Sequence, residues 1–212
     1  MENKNFRYPA EWEKHQATWL NWPSNTDTWI PIHLREVQKN YLLFIKEIAE
    51  GEEVHINLNS FHDEMFIMSE LHLLKANIAN IVIHHFGTND AWMRDCGPEF
   101  MINPITKEKK ILDWAYNAWG EKYPPFDKDN AIPKQVAEFR KLPFETLDFV
   151  LEGGSIDTNG EGTLLTTSSC LLNQNRNPTY RKEQIDTLLK EKYNLKEVVW
   201  LGDGIEGDDT DG

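Results

Sequence analysis

The sequence predicts an α/β fold, and three observations support this. Stretches in which apolar residues recur every three to four positions, as in amphipathic helices, alternate with short apolar or alternating stretches typical of strands. The alternation recurs along the chain, which favours repeated strand–helix–strand units over one long parallel sheet. No low-complexity linker divides the 212 residues, so we expect one continuous domain. Periodicity leaves open whether the units form an open sheet or a propeller-like ring.

The N-terminal half begins with a predicted helix over residues 33–50, whose apolar residues recur at helical spacing until Gly51 ends it. Residues 53–59 alternate apolar and polar side chains, as a half-buried strand does. A second helix is predicted over residues 61–77. The apolar run 81–86 after it predicts another strand.

The C-terminal half repeats the alternation, now with paired strands. Pro133 suits the first turn of a helix because its φ is already fixed near the helical value. Ile185, Leu188 and Leu189 share one face of the last predicted helix. The predicted elements are strands at 100–103 and 110–114, a helix from 133 to about 142, strands at 145–151 and 163–167, a helix at 179–193 and a strand at 197–201.

The composition is that of an acidic globular protein. The chain has 22 Lys and Arg against 35 Asp and Glu, a net charge of −13, which argues against a nucleic-acid-binding surface. No apolar run approaches the roughly 18–20 residues of a membrane helix, and the N-terminal residues lack the apolar core of a secretory signal. We therefore expect a cytoplasmic protein. Two cysteines without a C-x-x-C pair predict neither a disulfide framework nor a zinc site.

Residues 89–98 follow a predicted strand and are more polar than a structural loop requires. They bring Trp92, Arg94 and Asp95 together with a thiol, and loops at strand ends are where scaffolds display functional groups. The structural alternative is an ion pair of Arg94 with a carboxylate that braces the Gly-Pro turn. Cys96 is typical of a small buried residue.

Two further strand-end segments, residues 151–157 and 202–212, are candidates of the same kind. In the first, Glu152 ends an apolar strand and two glycines follow, which lets the backbone approach a ligand or another strand closely. A hairpin corner is the structural alternative, and the spacing of a phosphate-binding loop is absent. The second segment is rich in acids whose spacing does not match a calcium loop, and its structural alternative is a solvated tail.

Together the three segments predict a site for a guanidinium or an amine. A guanidinium matches a carboxylate through paired N–H···O bonds, and aromatic rings can wall the pocket of such a cation. A bound cation would in turn keep the carboxylates ionised. The side chains concerned are Trp92, Asp95, Glu152 and, in the acidic segment, Asp208, Asp209 or Asp211.

Seven motifs distributed along essentially the whole chain resemble those of the agmatine deiminases, the bacterial-type peptidyl-arginine deiminase family of the pentein superfamily. Their number and order make the resemblance specific. The motifs are residues 9–12 (PAEW), 18–23 (TWLNWP), 92–98 (WMRDCGP), 113–120 (DWAYNAWG), 152–155 (EGGS), 170–178 (CLLNQNRNP) and 207–212 (GDDTDG).

The resemblance implies a fold and an activity. The family fold is a pentein-type α/β propeller of five ββαβ repeats around a central pocket, of which this chain would supply about three. The family reaction hydrolyses agmatine to N-carbamoylputrescine and ammonia, without metal or cofactor, as a step toward putrescine. Family members are commonly homo-oligomers. By resemblance, residues 1–212 are the N-terminal portion of one such domain.

The resemblance also assigns roles to individual residues. Asp95 would grip the guanidinium, Trp92 would line the pocket, and Glu152 would hold the catalytic histidine and could contact the guanidinium. One of Asp208 and Asp209 would receive the distal amine of the substrate.

The family attacks the guanidinium carbon with a cysteine thiolate and moves protons with a histidine. That histidine follows the GDDTDG motif directly, a further guanidinium-binding Asp comes shortly after it, and the cysteine lies near the end of a longer chain. Cys96 and Cys170 stand in family motifs where they are not the nucleophile. We therefore expect the 212 residues alone to be inactive.

Two alternatives remain open at this point. A peptidyl- or free-arginine deiminase would share the chemistry, but the acidic segment favours a terminal amine over a carboxylate on charge grounds. A protein that binds guanidines or polyamines without chemistry would use the same carboxylates and Trp92.

Overall fold

The structure is a computed structural model that describes residues 5–208 and 210–211. These residues form an α/β fold, as predicted, with three separate three-stranded sheets instead of one long parallel sheet. They divide into two compact units, residues 14–93 and residues 5–13 together with 94–211. A single continuous domain stays a prediction. No helix in the described part of the chain is both long enough and apolar enough to span a bilayer.

The unit of residues 14–93 is a parallel sheet with two helices. Strand β2 is central and pairs in parallel with β1 and β3. Because side chains alternate along a strand, Val54 and Ile56 pack with helix residues such as Ile45, whereas His55 and Asn57 point to the opposite face. The elements are β1 (Ala17–Asn21), α1 (Pro31–Ala49), β2 (Glu53–Asn57), α2 (Phe61–Leu73) and β3 (Ile81–His84).

The elements predicted for this region are confirmed, with shifted ends and one addition. Helix α1 begins two residues before the predicted start because Pro31 occupies its first turn. Helix α2 ends at Leu73, four residues early, because Lys75 takes a positive φ of 57°. Strand β1 was not predicted, since its five residues are recognisable as a strand only through pairing with β2, more than thirty residues along the chain.

The second unit contains two sheets built in the same way. In each, two antiparallel strands are followed by a helix and then by a strand parallel to the second one. The elements are β4 (Glu99–Ile102), β5 (Lys109–Ala115), α6 (Ile132–Arg140), β6 (Phe144–Val150), β7 (Ile156–Thr158), β8 (Thr163–Thr167), α8 (Lys182–Tyr193) and β9 (Glu197–Leu201), with short helices α3 (Met93–Cys96), α4 (Ala118–Glu121), α5 (Asp127–Asn130) and α7 (Ser168–Leu171).

Parallel pairing in this unit sets where the candidate loops emerge. Because β5 and β6 are parallel, the segments after Ala115 and Val150 leave the same edge of their sheet. Because β8 and β9 are parallel, the segments after Thr167 and Leu201 do the same in the next sheet. Both sheets share one apolar core with Met101, Leu164 and Leu189 among its members. The motifs at these strand ends are thereby carried on one packed scaffold.

Candidate active site

Asp95 and Glu152 are brought together by a direct contact between their two segments. A side-chain carbon placed at Gly153 would lie 2.3 Å from the carbonyl oxygen of Arg94, and one at Gly154 would lie 2.2 Å from Oδ1 of Asp95. Neither position has room for a larger residue. The two glycines therefore serve the close approach of one backbone segment to another, which was one of the two sequence interpretations.

Arg94 braces this contact. Its Nε–H donates to the carbonyl of Gly153 at 3.0 Å, and its Nη2 donates to the carbonyl of Ile156 at 3.1 Å. Its third nitrogen pairs with the carboxylate of Glu11. The guanidinium of Arg94 thus pairs with a carboxylate, as the structural alternative expected, but its other bonds brace the segment of Gly153 and not the Gly-Pro turn.

The Asp95 carboxyl is held by N–H groups. The backbone N–H of Gly154 and the indole N–H of Trp119 both donate to it. Burial, and next the nearby charge of Glu152, raise the pKa of Asp95 to about 6, and the two N–H groups and Arg94 offset this in part. A cation placed at Asp95 would relieve both causes, so the site favours a positively charged ligand.

Glu152 differs from Asp95 because its carboxylate pairs with a cation of the protein itself. The residue is 1% exposed, and the Nε–H of Arg176 donates to its Oε1 at 2.7 Å. The thiol of Cys170 donates to Oε2 at 3.7 Å. Burial, and then the charge of Glu152, raise the pKa of Cys170 to about 12, so this thiol stays protonated and packs, as the sequence indicated.

Arg176 also joins Glu152 to the acidic segment. Its Nη1 donates to Oδ2 of Asp211 at 2.9 Å, and its Nη2 donates to the carbonyl of Thr210 at 2.9 Å. Lys122 donates to the same Oδ2 of Asp211 at 2.8 Å. Burial alone would raise the pKa of Asp211, but these two cations hold it below the usual value.

Trp119 and Arg176 are the two site residues that sequence reasoning did not select. Trp119 has a positive φ of 56°, and Asn117 fixes its turn by accepting the N–H of Gly120 at 2.9 Å. A side chain at Gly120 would collide with Asn175, the neighbour of Arg176. A signal was available: an Asn three residues before a Gly, and an Arg between two Asn, both inside motifs of the family.

The remaining candidate residues are Trp92, Asp208 and Asp209. Trp92 belongs to the unit of residues 14–93, where its ring stacks on Trp29 with centroids 6.0 Å apart, and it is 38% exposed. Asp208 is exposed, and its Oδ1 accepts the backbone N–H of Thr210 at 2.8 Å and the hydroxyl at 2.7 Å, which lowers the pKa of Asp208. Asp209 lies outside the described residues.

The arrangement suits recognition of a planar cation by hydrogen bonds. Within residues 5–208 and 210–211, no group of three or more His, Cys, Asp or Glu side chains is placed to hold a metal ion. An open cavity of about 420 Å³ adjoins Gly154 and includes Arg94 and Asp157 in its lining, but neither Asp95 nor Glu152. The two carboxyl groups and their donors, and not this cavity, are therefore the candidate site.

Comparison with known proteins agrees with the resemblance. The chain is 37% identical over 212 residues to the agmatine deiminase of Pseudomonas savastanoi pv. phaseolicola, covering 98% of this chain and 55% of that protein. An agmatine deiminase of Enterococcus faecalis, described as catalysing its reaction, matches with a TM-score of 0.90 and 35% identity over 100% of this chain and 57% of that one. A substrate-bound cysteine-to-serine variant of C. jejuni agmatine deiminase matches with a TM-score of 0.83 and 37% identity, over 97% and 59%.

The chain spans 55–56% of the length of curated relatives that it matches. The sequence profile of the Porphyromonas-type peptidyl-arginine deiminases matches residues 7–212, nearly all of the chain. With the predicted resemblance confirmed, the chain belongs to the Porphyromonas-type peptidyl-arginine deiminase family.

Proposed function

We propose that these residues are part of an agmatine deiminase, a C–N hydrolase that converts agmatine and water to N-carbamoylputrescine and ammonia. The observation that carries the proposal is Asp95, a carboxyl with uncharged N–H donors and a pKa raised to about 6 beside a second acid. A guanidinium supplies the missing positive charge and paired N–H donors. The names of the relatives supply agmatine as the substrate.

The roles of the remaining residues follow the family pattern. Asp95 grips the guanidinium, Glu152 orients the catalytic histidine, and Trp92 walls the pocket. Asp208 or Asp209 receives the distal amine of agmatine. A negative segment attracts an amine and repels a carboxylate, which favours agmatine over arginine.

The attacking group is a cysteine thiolate outside these 212 residues. It adds to the guanidinium carbon, ammonia leaves, and water cleaves the thiouronium intermediate while a histidine transfers the protons. The substrate-bound C. jejuni enzyme is a cysteine-to-serine variant, which supports a cysteine in this role. Cys170 is buried with a pKa near 12, and Cys96 is buried as well, so neither suits attack on a ligand. The chain alone is therefore inactive.

The same proposal covers the architecture. The three sheets correspond to three of five repeats of a pentein ring, and residues 1–212 are the N-terminal portion of that single domain. Two of the sheets share the strand–strand–helix–strand order, which supports the repeat. The enzyme works in the cytoplasm, without a cofactor, and as a homo-oligomer.

Titration calorimetry of the chain with agmatine tests the site. Because a guanidinium favours ionised Asp95, the affinity should rise with pH up to about 6 and level off above it, with proton release on binding near the midpoint. Asp95→Asn should lower the affinity at least tenfold and remove the pH dependence. Asp148→Asn, an exposed acid on β6, is the matched control and should change neither.

Equal agmatine affinity in the wild type and Asp95→Asn would exclude Asp95 as the guanidinium ligand. An ammonia assay is the second measurement, and the chain alone should release none above background. Enzyme-like turnover by the 212 residues would show that the nucleophile lies within them.

A further inference from the structure

The guanidinium of Arg176 is completely buried in the unit of residues 5–13 and 94–211. Its side chain is 0% exposed, and the opposing side chain of Glu152 is 2% exposed. Besides the bonds to Glu152, Thr210 and Asp211, its Nη1 donates to Oδ1 of Asn175 at 2.6 Å. Four of the five N–H donors of a guanidinium are thus accounted for, which defines the orientation of the group.

The partners of Arg176 belong to two different strand-end segments. Glu152 follows β6, and Thr210 and Asp211 follow β9 in the adjacent sheet. A planar guanidinium holds both at fixed angles, which a flexible ammonium would not. Although burial alone would lower it, the pKa of Arg176 is raised by Glu152, Cys170 and Asp211, so the group is a permanent cation.

We propose that Arg176 is a positioning residue of the deiminase site. Its guanidinium donates to Oε1 of Glu152 and links this carboxylate to Thr210 and Asp211. It directs the guanidinium of the substrate to Asp95, because the equivalent place on Glu152 is already filled by a group of the same chemistry. It also keeps Glu152 in register with the segment that precedes the family's histidine. The inference rests on the function proposed above and deepens it.

We expect Arg176 to act on Asp95 indirectly, because it compensates the charge of Glu152, which raises the pKa of Asp95. The charged or titratable groups that face Asp95 are Glu152, which raises its pKa, and Arg94, which lowers it. Tyr116 is near both acids, and burial together with Cys96 and these acids raises its pKa, so it stays neutral. Without Arg176 the charge of Glu152 is uncompensated, so it repels ionised Asp95 more strongly, and the pKa of Asp95 rises further.

The experiment follows the pH midpoint of agmatine binding in three variants. Arg176→Gln removes the charge, Arg176→Lys keeps the charge but loses the planar fork, and Arg140→Gln changes an exposed arginine of α6 as the control. We expect Arg176→Gln to raise the midpoint by about one pH unit. We expect Arg176→Lys to keep the midpoint within about 0.3 unit while the affinity falls severalfold, and Arg140→Gln to match the wild type.

A purely structural role for Arg176 would change affinity or stability in both variants without a charge-dependent shift of the midpoint. The proposal is overturned if Arg176→Gln leaves the midpoint unchanged, or if Arg176→Lys moves it as far as Arg176→Gln does. Should Arg176→Gln not fold, Arg176→Lys decides the matter. A midpoint shift of one unit in that variant overturns the proposal. With an unchanged midpoint, the affinity loss of Arg176→Lys is measured again in a Glu152→Gln background: a loss that disappears there supports the proposal, and an equal loss indicates a purely structural role and overturns it.

Failure of the proposed function has a different signature. If the wild type does not bind agmatine, or binds it without dependence on Asp95, the deiminase site is wrong. The same variants then test Arg176 through the carboxyl carbon signals of ligand-free protein, followed by NMR during a pH titration. The titration of the Asp95 carboxyl should again shift upward in Arg176→Gln and stay in place in Arg176→Lys.

Discussion

The two units of the chain bury polar groups in different ways. Among the described residues, the buried polar side chains of residues 14–93 are amides, imidazoles and a hydroxyl, with no carboxyl group among them. Nδ2 of Asn57 donates to Asn21 at 2.9 Å, and the rings of His55 and His84 share a hydrogen bond of 2.8 Å, whereas Oδ1 of Asn57 has no hydrogen-bond partner in the described part of the chain. The other unit buries carboxyl groups, among them Glu99, Glu152 and the partly buried Asp95.

This difference distinguishes buried polar groups that belong to the fold from buried carboxyl groups that can bind a ligand. Neutral groups that satisfy one another cost little when buried, whereas buried carboxylates need a cation or several donors. Among the described residues of the second unit, Arg176 pairs with Glu152, whereas the N–H groups that donate to Asp95 are the uncharged ones of Gly154 and Trp119. A ligand that brings a positive charge is therefore expected in the second unit, and four predictions test the contrast.

The largest effect is expected where the segments of Asp95 and Glu152 touch. In Gly153→Ala the new methyl group would lie 2.3 Å from the backbone oxygen of Arg94, so the two segments must separate. We expect a loss of about 3 kcal/mol in the free energy of unfolding, measured with urea. Gly51→Ala, in the other unit, is the control, since its nearest neighbour is an oxygen at 3.8 Å. Equal stability of the two variants would contradict the close contact.

The sequence predicted the elements and the carboxylates better than their partners. The long helices and most strands were predicted because periodicity is a local property. Asp95 and Glu152 were selected from strand-end polarity, which is also local, and their roles stay predictions. The contacts of Arg176 and Trp119 were not predicted because each residue bonds to a partner far away along the chain, 24 residues in the case of Arg176 and Glu152. A lone arginine in a polar loop has the appearance of a solvated side chain until the fold buries it.

Glu99 provides the next prediction, because it is a buried carboxyl outside the proposed site. It accepts hydrogen bonds from Trp114 and Tyr193, yet burial raises its pKa to about 7. The folded protein therefore binds a proton at Glu99 more tightly than the unfolded chain does. The stability that this group contributes is greatest below about pH 4.5 and decreases as the pH rises to about 7. The slope from this group approaches about 1.4 kcal/mol per pH unit.

Glu99→Gln should remove this part of the pH dependence, as measured by urea unfolding at several pH values from 4.5 to 8. The difference in unfolding free energy between wild type and variant is the observable, because other groups contribute equally to both. A difference that does not vary with pH would show that Glu99 is already ionised in the folded protein.

A smaller effect is expected in the unit of residues 14–93. His55 is buried, stacks on Trp19 with centroids 4.2 Å apart, and shares its hydrogen bond with His84. His55→Ala should cost about 2 kcal/mol of unfolding free energy because the stacking and the bond are both lost. His62→Ala, at an exposed position of α2, should change stability little. Neither variant should alter the pH midpoint of agmatine binding, and a shifted midpoint would break the contrast between the units.

The smallest effect concerns Asp208, where loop geometry and charge can be separated. Its Oδ1 accepts two hydrogen bonds from Thr210, so Asp208→Asn can keep the turn while it removes the charge, and Asp208→Ala loses both. Since the side chain is exposed, Asp208→Asn should change stability by less than about 0.5 kcal/mol.

If Asp208 receives the distal amine, Asp208→Asn should lower the affinity for agmatine severalfold and leave the affinity for butylguanidine, which has no amine, unchanged. If Asp208→Asn lowers the affinity for both ligands, or if only Asp208→Ala lowers it, then Asp208 maintains the shape of the loop and another acid receives the amine. If the effect of Asp208→Asn on agmatine selectivity becomes smaller at high salt, Asp208 and the amine form an exposed charge–charge contact, since ions screen such pairs.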